Sequence, residues 1–118
     1  MAELQIASHV VEGVALVSLQ GDLDSYSAPR LRHLLDGLAE SDRPAVLLDL
    51  AYLEYIDSVG LGVLVASLKR LSDCSGALAL VSVPPPVANV LRVTGLERMF
   101  PVFTDGEAAQ ASLRADRV

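Results

Sequence analysis

Residues 45–71 read AVLLDLAYLEYIDSVGLGVLVASLKRL, and the division of this stretch into elements decides the fold. AVLLDL, directly after Pro44, is a short apolar run of the length expected for a buried strand. AYLEYID then reads as a connection. Beyond it Leu61, Leu64, Val65, Leu68 and Leu71 recur at intervals of 3, 1, 3 and 3. That spacing marks one face of a helix over about residues 59–73. A buried strand feeding an amphipathic helix is half of a β-α-β unit.

The same grammar extends in both directions. Upstream, Leu4, Ile6, Ser8 and Val10 alternate with Glu3, Gln5, Ala7 and His9, as in a half-buried strand. Glu12-Gly13 is a hairpin turn into VALVSL, whose apolar character on both faces places it inside a sheet. Gly21 is expected to end that strand. GDLDSYSAPR then leads into a helix, with Ser27 as N-cap, Pro29 in the first turn and Leu31, Leu34, Leu35 and Leu38 on its inner face. Downstream, Gly76 breaks the central helix and ALALVSV reads as another buried strand. Three prolines, 84–86, open a helix with Val87, Val90 and Leu91 inward and Gly95 as its left-handed stop. PVF at 101–103 is a short last strand, and DGEAAQASLRA a closing helix capped by Asp105. The order β-β-α-β-α-β-α-β-α predicts one α/β domain over residues 1–118. Its mixed, mainly parallel sheet of about five strands has an antiparallel N-terminal edge hairpin and is flanked by about four helices.

Composition narrows the function. The 118 residues are 52% hydrophobic and 20% charged, with a net charge of −6 and no basic cluster, so nucleic acid is not an expected partner. No apolar run approaches the roughly 18 residues of a membrane span, and the start lacks the pattern of a signal peptide, which points to the cytoplasm and away from the membrane. The single cysteine, Cys74, excludes an internal disulfide, argues against a zinc site, and reads as a buried or half-buried thiol. No cofactor motif is present: the G-L-G of 60–62 continues into neither a P-loop nor a complete dinucleotide fingerprint.

Ser58, between Asp57 and Gly60, is the residue to explain. A nucleophilic serine needs a base, and the only histidines, His9 and His33, lie far from it in sequence; no catalytic residue is assigned. Asp22, Asp24 and Asp57 could seat a metal, but acids at helix starts serve the dipole and the caps, and no metal is expected. As an N-cap Ser58 competes with Asp57. In either case it stands in the first turn of a helix just past the carboxyl end of a strand, where open α/β sheets carry functional loops.

These residues resemble the anti-sigma factor antagonists, bacterial members of the STAS domain family. The likeness rests on the G-D-L-D of 21–24, Ser27-Ala28, the D-S-x-G-L-G of 57–62 within LDLAYLEYIDSVGLGVLVASLKRL, and the T-G-L…F of 94–100. Val59 stands where the family often has a second Ser or Thr. The resemblance implies a regulatory binding protein and not an enzyme. In that scheme the unmodified form binds an anti-sigma factor serine kinase, phosphorylation of Ser58 prevents binding, and a serine phosphatase resets the switch. Asp22, Asp24, Ser27, Asp57, Val59, Gly60, Gly62 and Val63 are the expected partner surface. Relatives that serve as unphosphorylated subunits of signalling assemblies or lipid transporters leave a second reading open.

Physical chemistry adds an expectation of its own. Val59, Gly62, Val63 and Ala66 form a small-residue strip off the leucine face, which admits close approach by another protein or packs against a neighbouring helix. Gly60 and Gly62 each cost about 0.5–1 kcal/mol relative to Ala in a helix, so both are expected to make room for a partner.

Overall fold

A computed structural model describes residues 2–115. Its elements are β1 (Gln5–Val11), β2 (Val14–Leu23), α1 (Ala28–Leu38), β3 (Ala45–Ile56), α2 (Ser58–Asp73), β4 (Ala77–Val81), α3 (Pro85–Val93), a 3-10 turn (Leu96–Arg98), β5 (Val102–Phe103) and α4 (Gly106–Ala115). The sheet runs β1-β2-β3-β4-β5, antiparallel between β1 and β2 and parallel elsewhere. Glu12 and Gly13 both have positive φ, 50° and 80°, the conformation that a two-residue hairpin turn of the I′ type requires.

Strand order follows chain order, so each crossover steps one place in the same direction. Right-handed crossovers then set α1, α2 and α3 on one face of the sheet. The buried residues agree. Leu31 and Leu35 of α1, Leu61 and Leu64 of α2, and Val87 and Leu91 of α3 share one core with Val17, Leu19, Leu48, Leu50 and Leu80. The opposite face carries α4, whose Ala109 and Leu113 pack on Val14, Ala45, Leu47, Ala79 and Val81. The closing helix therefore covers sheet surface, and Asp105 starts it by accepting from the Glu107 N–H at 2.9 Å.

Several boundaries differ from the sequence reading, each for a tertiary reason. Gly21 does not end β2. At φ 104° it sits in a bulge where β2 changes register, and the strand continues to Leu23. A Cβ at Gly21 would lie 2.4 Å from the Glu3 carbonyl oxygen, so glycine is what lets residues 2–4 cross there. The expected connection after Leu50 is strand as far as Ile56, because Gln20, Gly21, Asp22 and Leu23 pair with Tyr52, Leu53, Tyr55 and Ile56. β4 stops at Val81, where Ser82 takes φ 57°. The alternation in β1 buries little: Ile6 is half-buried, but Val10 is 65% exposed. Cys74, expected to be at least half-buried, is exposed at the C-cap of α2.

Candidate functional site

Two strand ends build the site. β2 and β3 finish side by side, and the Asp57 N–H donates to the Leu23 carbonyl at 3.2 Å. Asp57, in extended conformation, is the N-cap of α2: its Oδ1 accepts from the Gly60 N–H at 2.9 Å. Its Oδ2 accepts from the Ser25 N–H at 3.2 Å, which ties the loop after β2 to the start of α2. One carboxylate therefore satisfies a free helix donor and fixes a neighbouring loop.

The loop at 24–27 is closed by a reciprocal pair. Asp24 Oδ1 accepts from the Ser27 N–H at 3.1 Å, while Ser27 Oγ accepts from the Asp24 N–H at 2.9 Å. This is a capping box with serine in the place usual for Glu or Gln. Ser27 also donates its hydroxyl to the Asp22 carbonyl at 2.9 Å. The sequence reading made Ser27 the cap of α1. Its side chain instead turns back to Asp24, and a helical turn at 24–27 leads into α1, with the Ala28 N–H reaching the Asp24 carbonyl at 2.8 Å.

The expected surface residues separate by burial. Asp22 is buried, and its Oδ2 accepts from the Ala2 N–H at 3.1 Å, so it holds the N-terminal segment. Ser27 and Gly60 are buried as well. Val63, placed by sequence in the exposed strip, is 7% exposed and belongs to the core. The two glycines have different reasons. A Cβ at Gly60 would lie 2.7 Å from both the Leu23 carbonyl oxygen and its Cγ, so this glycine lets α2 start against the end of β2. A Cβ at Gly62 would meet nothing within 4 Å. The exposed residues here are Ser58, Val59, Gly62 and Ala66 on α2.

Beside them lies a groove of about 470 Å³ lined by Asp22, Asp24, Ser25, Tyr26, Tyr55 and Asp57. Tyr26 is 88% exposed, Tyr55 51% and Val59 48%. Sequence reasoning passed over both tyrosines. Tyr55 was hidden in the supposed connection and Tyr26 in a loop read only for its caps. Tyr55, two residues before the D-S-x-G turn, was the one local signal, and Tyr26 reaches the site only through the pairing of β2 with β3. Among the described residues no cluster of three or more His, Cys, Asp or Glu side chains could hold a metal. No helix among them is long and apolar enough to cross a membrane.

A family model described as the STAS domain matches residues 5–109. The chain belongs to the STAS domain family. This STAS domain is 32% identical over 111 residues to BtrV of Bordetella bronchiseptica, whose name provisionally makes it an anti-sigma factor antagonist, covering 94% of this chain and 96% of that one. It is also 32% identical over 101 residues to the anti-sigma F factor antagonist of Paenibacillus polymyxa, with 85% and 86% covered. A crystal structure of an anti-sigma factor antagonist from Mycobacterium paratuberculosis matches it with a TM-score of 0.84 at 28% identity, over 95% of each chain.

The STAS domain's cap makes a direct prediction. Asp57→Ala should lower unfolding free energy by about 0.5–2 kcal/mol in urea titrations. Asp57→Asn, which retains an accepting oxygen, should recover most of that loss.

Proposed function

We propose that the protein is an anti-sigma factor antagonist whose unmodified form binds an anti-sigma factor serine kinase and is switched off by phosphorylation of Ser58. The observation that carries this reading is the division of labour between neighbours. Asp57 performs the cap, and Ser58 is left exposed in the first turn of α2. A serine there has no folding duty to lose when it is modified.

Around it, Val59, Gly62, Ala66, Tyr26 and Tyr55 offer a surface with few long side chains to order, and tyrosines anchor protein interfaces well. Asp24 and Asp57 hold the loop and helix start that display this surface. Asp22, Ser27, Gly60 and Val63 support it from beneath. The protein acts as a binder and a kinase substrate, not as a catalyst. Its cycle in the bacterial cytoplasm is completed by a serine phosphatase that hydrolyses the phosphoserine.

Incubation with its anti-sigma kinase and ATP tests the acceptor. Peptide mass spectrometry should find a single phosphate on Ser58 and none on Ser58→Ala. Ser27 and Ser67 are buried and should stay unmodified. Phosphate on Ser25, Ser27 or Ser67 with Ser58 untouched would overturn the assignment.

A further inference from the structure

We propose that the free edge of β1 is a self-association surface, on which two copies of this chain pair antiparallel about Ser8 into one continuous sheet. The reading is independent of the switch at Ser58.

An exposed sheet edge invites strand addition, and proteins guard it with charges, proline, bulges or brevity. The β5 edge is guarded by brevity, since that strand spans two residues. β1 has seven residues, QIASHVV, with no Asp, Glu, Lys, Arg, Pro or Gly. It pairs with β2 in unbroken register from Gln5–Gln20 to Val11–Val14. Nothing in its sequence or register discourages a further strand.

The hairpin turn fixes which groups are free. A two-residue turn closes on a hydrogen-bonded pair, here Val11 and Val14, and such pairs alternate along an antiparallel ladder. Val11, His9, Ala7 and Gln5 thus spend their backbone groups on β2. Val10, Ser8 and Ile6 turn their N–H and C=O outward. Reversing the strand about Ser8 sets Ser8 against Ser8 of the second copy and Ile6 against its Val10, so outward donors face outward acceptors throughout.

The side chains fit the same register. Ile6 packs against the core on the helix-covered face, and Val10 borders Gly37 and Leu38 of α1 on that face. Each copy's exposed Val10 then lies beside the other's half-buried Ile6, an apolar cross-strand pair. Register selects the occupant. Pairing about Ser8 makes the strand its own complement, and the strand itself bears no acid or base other than His9, while the exposed Glu3 and Glu12 lie outside the paired residues. A strongly charged strand would find no countercharge. None of the edge residues lines the groove beside Ser58, so a dimer leaves both switch surfaces open.

Light scattering of the purified full chain across a dilution series is the test, with amide exchange read by NMR on the same samples. The expected mass is twice 12.5 kDa at high concentration, falling toward the monomer on dilution. Protection of the Ile6, Ser8 and Val10 amides should rise with concentration, while Gln5, Ala7, His9 and Val11 stay protected throughout. Ser8→Pro removes an outward N–H without costing a bond to β2, and Val10→Lys adds a charge at an exposed position. Each should raise the dimer dissociation constant by about tenfold or more with an unchanged circular dichroism spectrum. If Ser8→Pro fails to fold, Val10→Lys decides. A monomer at every concentration, a dimer indifferent to Val10→Lys, or a dimer without protection at those amides overturns the proposal.

Discussion

Under the proposed switch, the protein phosphorylated on Ser58 should bind an anti-sigma kinase at least about a hundredfold more weakly than the unmodified form. A phosphoserine adds about −1.5 to −2 charge and three strong acceptor oxygens. The groove beside it is lined by Asp22, Asp24 and Asp57 and by no lysine or arginine, so the groove offers no countercharge. Burying that group in an interface built on small and aromatic residues, with no matched cation, costs several kcal/mol. About 1.4 kcal/mol is tenfold in affinity, so a loss of two decades needs only about 3 kcal/mol. The fold itself should tolerate the phosphate. Ser58 is exposed in the first turn of α2, where unpaired N–H groups and the positive end of the helix dipole favour an anion. Calorimetric titration should show Ser58→Ala binding as tightly as the unmodified protein. Ser58→Asp, with one charge and fewer oxygens, should fall between the two forms. Equal affinity of the phosphorylated and unmodified proteins would refute the switch.

The sequence made the architecture legible because nearly every element carried its own local signal. The i, i+3, i+4 leucines of α2, the unbroken apolar runs of β3 and β4, the prolines opening α3 and the Glu12-Gly13 turn each pointed the same way as the whole. What it concealed depends on contacts between distant residues. The extension of β2 past Gly21 and of β3 past Leu50 exists because each bulged half pairs with the other, and neither half looks like a strand alone. Ser27 is a favoured capping residue, but which N–H its hydroxyl meets depends on the turn that Asp24 closes. The burial of Asp22 follows from the crossing of residues 2–4 over Gly21. At the candidate site, Ser58 and Asp57 were visible through the D-S-x-G pattern, whereas Tyr26 and Tyr55 needed the fold to bring β3's end beside the 24–27 loop.

The same limit explains why Gly60 and Gly62 looked alike in sequence and should behave in opposite ways. Gly60→Ala should destabilise the protein by about 1–3 kcal/mol, even though alanine is the better helix former. Its Cβ would stand 2.7 Å from the Leu23 carbonyl oxygen, a backbone atom inside a paired strand, and α2 must shift to relieve the contact. That shift also strains the Asp57 cap, whose carboxylate bonds the Gly60 N–H and reaches across to Ser25. A Cβ at Gly62 meets nothing within 4 Å, and Gly62→Leu replaces a poor helix former at an exposed position, so stability should rise by about 0.5–1 kcal/mol. Its side chain would instead project from the exposed face of α2 beside Val59 and Ala66, where close approach by the kinase is proposed. Affinity for the kinase should then fall by about tenfold or more, a loss of at least about 1.4 kcal/mol. Urea unfolding and kinase titration of both variants separate the two roles. If Gly60→Ala is as stable as the parent, α2 does not depend on this close approach to β2. If Gly62→Leu binds as the parent does, the exposed face of α2 lies outside the contact, and the interface must be sought on the tyrosine side of the groove.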